Sequence, residues 1–391
     1  MSATLAEPAA PQQQEPQSPL ARLTPEQIEK LGEEFDAIHA EVFADLGDRD
    51  SRYIRATIQL HRRLVIAARA ALVLSPRKPA WLAGTAALSL AKILENMELG
   101  HNIMHGQWDW MNDPDIHSTS WDWDTASPAD AWKHSHNYEH HTYTNIRGKD
   151  RDLGYEIMRI DPHQPWHPVY LLQPLYNLLL MGFFEWGVAL HDLNFDAIRA
   201  GEKPKAQALS ELKAIGLKAR RQIVKDYVAF PALSAAFARK GKRKRTFKAT
   251  LAANFTANIV RNVWAHSIIF CGHFPDQTYT FSQAEVEDET RGGWYVRQLL
   301  GAANIDGGPL FHLLSGNLSF QVEHHLFPDM PSSRYAEVAP RVRDICARYG
   351  LPYNTGPFSR QLGTVHRTIL RLALPGGGPR PKPGPYRPQP V

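Results

Sequence analysis

Eight of the 18 histidines in this 391-residue chain fall into three short clusters and one single site. They are His101 and His105 in LGHNIMHG, His136, His140 and His141 in HNYEHH, His324 and His325 in QVEHH, and His273 in FCGHFP. Positions this far apart in sequence meet only through a fold, and the natural reason to gather imidazoles is metal. On a helix, residues at i and i+4 share a face. His101/His105 and His136/His140 have that spacing. His141 sits about 100° around from His140, so a doubled HH can aim one ring at each of two ions. Gln321, Glu323, His324 and His325 repeat the pattern, with Gln321 and His324 at i and i+3. Seven imidazoles in three boxes exceed the three or four or so protein ligands that one ion commonly takes. Two ions share them better. Imidazole suits zinc, copper, iron and nickel, so ligand type leaves the metal open. A single HxxxH pair arises easily by chance, and His39, His61, His117 and His366 read as ordinary satisfied polar residues. Three boxes, two of them with adjacent HH, do not arise so easily.

The chain is long enough for two or three soluble domains or one larger membrane domain. Its formal net charge is +4. Lys and Arg concentrate around 199–225 and in RKGKRKR (239–245). Contact with anionic lipid headgroups or an acidic cosubstrate is the expectation, set against a merely solvated charged segment. No recognition motif accompanies the basic runs, so nucleic acid is not expected as a partner. The two cysteines, Cys271 and Cys346, exclude a disulfide framework and a cysteine-based metal site. The N-terminus lacks the basic-then-apolar pattern of a signal peptide. Residues 1–20 and the Pro/Gly-rich 375–391 read as disordered.

Mean hydropathy is −0.38, yet the apolar residues are concentrated. Four stretches are candidates for a bilayer: 64–99, two runs broken at 75–79; 170–190; 223–237; and 250–272. A span needs about 20 mostly apolar residues. Only 170–190 meets that cleanly, since the others carry Arg69, Lys92, Glu95, Glu98 or Arg261. Charges at membrane depth usually face a protein interior, and Glu95 and Glu98 lie just before His101. A site built from all the boxes must lie on one side of the membrane. The crossings between His141 and His273 must then be even in number. That favours 223–237 paired with 250–272, with 170–190 embedded in the surface, although the pairing puts the basic turn on the far side. Residues 107–132 hold five of the ten tryptophans, which reads as a membrane-interface belt, a cover over an apolar tunnel, or ordinary loop packing.

At the boxes a resemblance becomes specific. HNIMH, HNYEHH and QVEHH match the HxxxH, HxxxHH and (H/Q)xxHH pattern of the membrane fatty acid desaturases. The surrounding text agrees: KILENMELGHNIMHGQWDWMNDP, WKHSHNYEHHTYTN, RNVWAHSIIFCGHFPD and SGNLSFQVEHHLFPDMP. Over roughly residues 50–360 the chain resembles the bacterial NADPH-dependent stearoyl-CoA/linoleoyl-CoA type. The resemblance implies an all-α integral membrane protein, with four transmembrane helices under a cytosolic helical cap holding two irons. It also implies a multi-pass place in the cell membrane with the active site facing the cytoplasm. The implied iron ligands are His101, His105, His136, His140, His141, His324 and His325, with a further histidine after the last span. His273 fits that place, and His266, seven residues earlier, is its rival. Gln321 stands where some members carry His, which points to an indirect contact. Glu95, Glu98, Asn102, Glu139, Asn317 and Glu323 are candidates to orient the rings.

The expected domains are a disordered tail over 1–20, the desaturase domain over 21–365 and a Pro/Gly-rich tail over 366–391. The implied activity is O2-dependent introduction of a cis double bond into a long-chain fatty acyl-CoA or acyl lipid, with membrane lipid as a further partner. No HPGG motif of a fused cytochrome b5 occurs. Electrons are therefore expected from a separate NADPH-dependent reductase, with a ferredoxin as one form of carrier. The rival readings are a di-iron fatty acid or alkane hydroxylase on the same chassis and a non-catalytic metal-binding membrane protein.

Overall fold

A computed structural model describes residues 19–378 and 380–387. Most of the expected N-terminal tail, residues 1–18, lies outside the described residues. The chain is almost wholly helical. Besides α1 (Pro25–Ala44), one half is a set of helices: α2 Asp48–Val73, α3 Lys78–Leu94, α4 Gln173–Gly182, α5 Phe184–His191, α6 Lys205–Ile223, α7 Phe230–Phe237 and α8 Arg243–His273. Among these, α2, α3, α7 and α8 pack on one another. The other half gathers α1 with α9 (Arg291–Gly301), α10 (Gln321–Leu326) and α11 (Tyr335–Arg348) around Leu31, Phe35, Tyr295, Phe327, Tyr335 and Val342. The last helix, α12 (Phe358–Ala373), packs on α4 and α8 and runs past residue 365. A two-stranded parallel ladder pairs β1 (Asn304–Asp306) with β2 (Thr355–Pro357), Asn304 facing Thr355.

All-α character stands, but the four transmembrane helices do not, and neither does the multi-pass, cytoplasm-facing localisation built on them. Among the described residues, no helix is long and apolar enough to cross a membrane. The reasons are local. The 170–190 run, clean in sequence, is broken at Phe183 into helices of 10 and 8 residues. The 223–237 run is a π-helical turn, Val224–Ala229, followed by an 8-residue helix. The long helices α2 and α8 carry polar and charged groups along their length, and several are buried inside the bundle rather than placed at its ends. Lys92 Nζ donates to Asp226 at 2.8 Å, Arg69 to Asn254 at 2.6 Å, and Arg261 pairs with Glu185. A buried charge persists when it is paired and hydrogen-bonded.

Two corners position the site. Arg334, 3% exposed, forks onto Asp50 at 2.6 and 2.7 Å and reaches Asp45 at 2.8 Å, tying the start of α2 to the segment after the third box. Helices α1 and α9 cross at Gly32 and Gly292, where a methyl group on Gly292 would lie 2.0 Å from the Ile28 carbonyl oxygen. The backbones touch because neither residue has a side chain. Gly292→Ala is expected to cost about 1–3 kcal/mol or more of stability, since the helices must move apart to admit it. A lowered thermal unfolding midpoint would show this, and an unchanged midpoint would deny the close crossing.

Candidate metal centre

The ends of α3 and α8 point at the same place. Beyond α3 the chain continues as a π-helical turn, Glu95–His101, and one α turn then brings in His105. The second box sits in another π turn, Lys133–His140, followed by His141. The His136/His140 pair thus lies on a wider turn than the α-helix the spacing suggests, whereas His101 and His105 are joined by an α turn that follows a π turn; π turns are rare and recur at functional sites. His273 is the last residue of α8, and His324 and His325 lie on the short α10. Asn304 of β1 fixes α10: its carbonyl oxygen accepts from Val322 N at 2.8 Å and its amide donates to Glu323 at 2.8 Å.

The eight rings pack against one another. His101 and His105 lie 4.6 Å apart between centroids, His105 and His141 4.7 Å, His141 and His325 4.5 Å, and His140 and His273 4.7 Å. Ligand atoms of His101, His105, His136 and His324 lie within 4.8 Å of one another, as do those of His140, His273 and His325. His141 touches both groups, with His324 at 4.9 Å on one side. His266 is elsewhere: its Nε2 is 3.0 Å from Asn177 Oδ1 and its ring stacks on Phe270. Gln321 is buried with its side-chain nitrogen 3.1 Å from His273 Nε2. His134 is exposed and stacks on Tyr138, and His312 bonds Ser319.

Ring nitrogens turned outward have partners. His101 Nδ1 meets Asn102 Oδ1 at 3.1 Å, His140 Nδ1 meets both Asp150 oxygens at 3.1 Å, His325 Nδ1 meets Gln298 Oε1 at 2.9 Å and His324 Nδ1 meets the Tyr335 hydroxyl at 3.1 Å. Most of those facing inward do not, although His101 Nε2 and His136 Nε2 face each other at 3.3 Å. The Nε2 atoms of His105, His140, His324 and His325, both ring nitrogens of His141 and Nδ1 of His273 are buried without a hydrogen-bond partner. Orphaned buried nitrogens are costly and uncommon. So many converging on one place fit an all-imidazole cation site, with the outer contacts fixing each tautomer. Burial, and then the mutual repulsion of their charged forms, holds His105, His141, His273, His324 and His325 well below the usual range and His101 at about 3. Neutral imidazole is the ligating form. His140 differs: burial opposes its charge, but the Asp150 and Asp152 carboxylates outweigh that and raise its pKa.

Of the carboxylates and amides singled out in sequence, Asn102 alone hydrogen-bonds a box histidine. Glu98 binds Tyr53, Asn317 and Ser332, Glu323 binds Asn304 and Tyr353, Glu95 accepts from Asp124 N, and Glu139 pairs with Arg151. The outer contacts the sequence reading missed are Asp150, Asp152, Gln298 and Tyr335. Asp152 lies 3.4 Å from His136 Nδ1 and 2.9 Å from His191 Nε2. Hydrogen bonds that His191 donates to the Asp152 and Glu156 carboxylates overcome burial and raise its pKa to about 9. Asp150 and Asp152, ten residues or so past the second box, were the available signal.

A narrow cavity abuts the cage at His101 and His136. Its walls include Met97, Trp123, Trp132, Phe184, Val188 and Ile269. Trp132 stacks on His136 at 4.6 Å and meets His101 edge-on. Of the tryptophan-rich loop, Trp108, Trp123 and Trp132 are buried in the protein.

Comparison with known proteins places the chain in a family. The family model described as fatty acid desaturase matches residues 79–357. The chain is 47% identical over 355 residues to the NADPH-dependent stearoyl-CoA 9-desaturase of Mycobacterium tuberculosis, covering 91% of this chain and 82% of that protein. It is 25% identical over 354 residues to the sn-1 linoleoyl-lipid 6-desaturase of a Synechocystis species, covering 87% of this chain and 93% of that one. A shorter match, 39% over 87 residues, reaches human fatty acid desaturase 3, covering 22% of this chain and 20% of that protein. No solved structure matches the chain. The chain belongs to the fatty acid desaturase family, and it is an oxidoreductase that desaturates fatty acyl chains.

Asp150→Asn keeps the shape at His140 and removes the charge. It is expected to weaken metal retention about 10- to 100-fold, as the loss of an outer carboxylate typically does. Metal content after dialysis against a graded chelator measures it; retention equal to the parent protein would remove Asp150 from the site.

Proposed function

We propose that this enzyme removes two hydrogens from a long-chain fatty acyl-CoA to form a cis double bond, using two iron ions held by the eight histidines. One nitrogen group, His101, His105, His136 and His324, would hold one ion. The other, His140, His273 and His325, would hold the second, with His141 between them. The observation that carries this reading is the convergence of unpartnered, neutral ring nitrogens beside an apolar-walled cavity. When bound, iron supplies the redox chemistry that activates O2. Two hydrogens from the acyl chain, together with two electrons and two protons, reduce O2 to two waters. A separate reductase drawing on NADPH would provide those electrons; the Mycobacterium tuberculosis relative is NADPH-dependent by name and acts on stearoyl-CoA.

The protein's own part is positional. Asp150 holds a proton on His140 Nδ1 and leaves Nε2 as the donor atom, and Gln298 and Asn102 do the equivalent for His325 and His101. Trp123, Trp132 and Phe184 exclude water from the wall beside His101 and His136 and confine the chain. Confinement lets geometry select which carbon meets the reactive centre, because an alkyl chain has no functional group to guide it.

The test is a saturated acyl-CoA supplied with reductase, NADPH and O2, followed by mass spectrometry of the acyl product. Loss of two mass units is expected, and a gain of sixteen would instead mark a hydroxylase. Metal analysis should find iron, and a single zinc with no iron would overturn the reading. His140→Ala is expected to abolish turnover while the protein still accumulates folded; retained turnover would separate the histidine cage from the chemistry.

A further inference from the structure

A second, larger cavity reaches the cage at His273. It encloses about 1270 Å³, open mouth included, and it is lined by His273, Phe274, Tyr279, Arg371, Arg380 and Lys382 among others. His273 links it to the cage, since that ring touches His140 and His325. The mouth is built by the Pro/Gly-rich segment that follows α12, which is not loose along its described length. The left-handed glycines Gly376 and Gly377 turn the chain back on itself. Lys382 then donates to the Thr278 carbonyl, and Tyr386 N donates to the Leu351 carbonyl at 2.8 Å.

This strap completes a crowd of positive charge. Arg367 and Arg371 lie one turn apart on α12, Arg380 and Lys382 come from the strap, and Arg159 stands behind them. Arg367 and Arg380 share one carboxylate, Asp276, at 3.1 and 3.2 Å. Arg159 is 4% exposed, and all its hydrogen bonds run to carbonyl oxygens, of Gln164, Pro162, Leu372 and Gly376. Arg371 donates to the Gly378 carbonyl at 2.6 Å, while its Nε is shut from solvent with no partner. Burial, and then the charge of Arg380, push the Arg371 guanidinium below its ordinary pKa, against the opposing pull of Asp276. Solvated surface lysines would show none of this. Guanidiniums held near one another with the single carboxylate of Asp276 shared among them still repel, and an added anion between them would relieve the repulsion. The planar fork of arginine matches a phosphate group in particular.

We propose that Arg371, Arg380 and Lys382, backed by Arg159 and Arg367, form a binding site for phosphate-ester groups at the mouth of the cavity that ends on His273. On the acyl-CoA reading above, on which this assignment of source rests, the phosphates are those of the substrate's coenzyme A. The C-terminal strap is then part of substrate recognition. The same chemistry would accept the phosphate of a lipid headgroup.

The iron-loaded protein is titrated by calorimetry with free coenzyme A and, separately, with phosphatidylglycerol vesicles. The parent protein is compared with Arg380→Ala, which lies outside any helix, and with Arg371→Ala/Arg380→Ala. Each lost charge-assisted contact is expected to weaken coenzyme A binding by about tenfold. The KM for stearoyl-CoA should rise in step while kcat changes far less, and added salt should weaken the parent's binding. Conservative Arg380→Lys should recover part of the loss. Coenzyme A affinity and KM unchanged in both variants would overturn the site. Vesicle binding that the variants lose, with no binding of coenzyme A, would keep the phosphate site and assign it to lipid. Coenzyme A binding is read without turnover. A protein that binds it through these arginines yet leaves stearoyl-CoA unaltered would keep the site and sink the desaturation reading instead.

Discussion

Eight imidazoles pressed ring to ring, most of their inner nitrogens unpaired, are a burden on folding. Each buried nitrogen without a partner forfeits the water it had in the unfolded chain, and most of the rings, His140 apart, resist protonation because burial and their neighbours oppose the charge. The arrangement persists because everything outside it is satisfied. Asp150, Asn102, Gln298 and Tyr335 reach the rings from four different stretches of chain. Asn304 clamps α10 through both ends of one amide, and Gln298 also donates to the His141 carbonyl, binding the second box to the third. The scaffold is thus a device for holding donor atoms in place before any ion arrives. A bound ion would offset that cost in free energy.

The histidines themselves were legible because ligation demands a residue type, and types are what a sequence displays. Their gathering followed from chemistry alone. The outer contacts were less legible, because a carboxylate that orients a ring needs only to lie near it in space. Glu95, Glu98 and Glu323, close to the boxes in sequence, turn to other partners. Asp152 and Gln298 stand on segments whose approach depends on the tertiary fold. His273 and His266 share one helix, and only the length of α8 decides which of them arrives at the cage.

Apolar runs were the weaker guide. Hydropathy sees composition, not where a helix stops: 170–190 reads as one element, yet the backbone turns at Phe183. Nor does it see pairing. Lys92, Asp226, Arg69 and Arg261 fall within the apolar stretches or against them, and the fold accommodates them by matching each with a partner inside the bundle. The C-terminal segment misled in the opposite direction. Proline and glycine signal a chain that forms no regular structure, and 380–387 forms none, but it is held to the core by its own hydrogen bonds.

The two π turns that carry the first and second boxes place each in a delicate register. A π turn holds one residue more than the α turn around it, as though a single amino acid had been slipped into a finished helix. Deleting one residue between Glu95 and Gly100 would let the helix relax into a more ordinary form. It would also rotate the following side chains by about 100° relative to those before. Helical content would be preserved, but His101 and His105 would face a different neighbour. The donor geometry therefore depends on a local irregularity of the backbone as much as on which side chains are present.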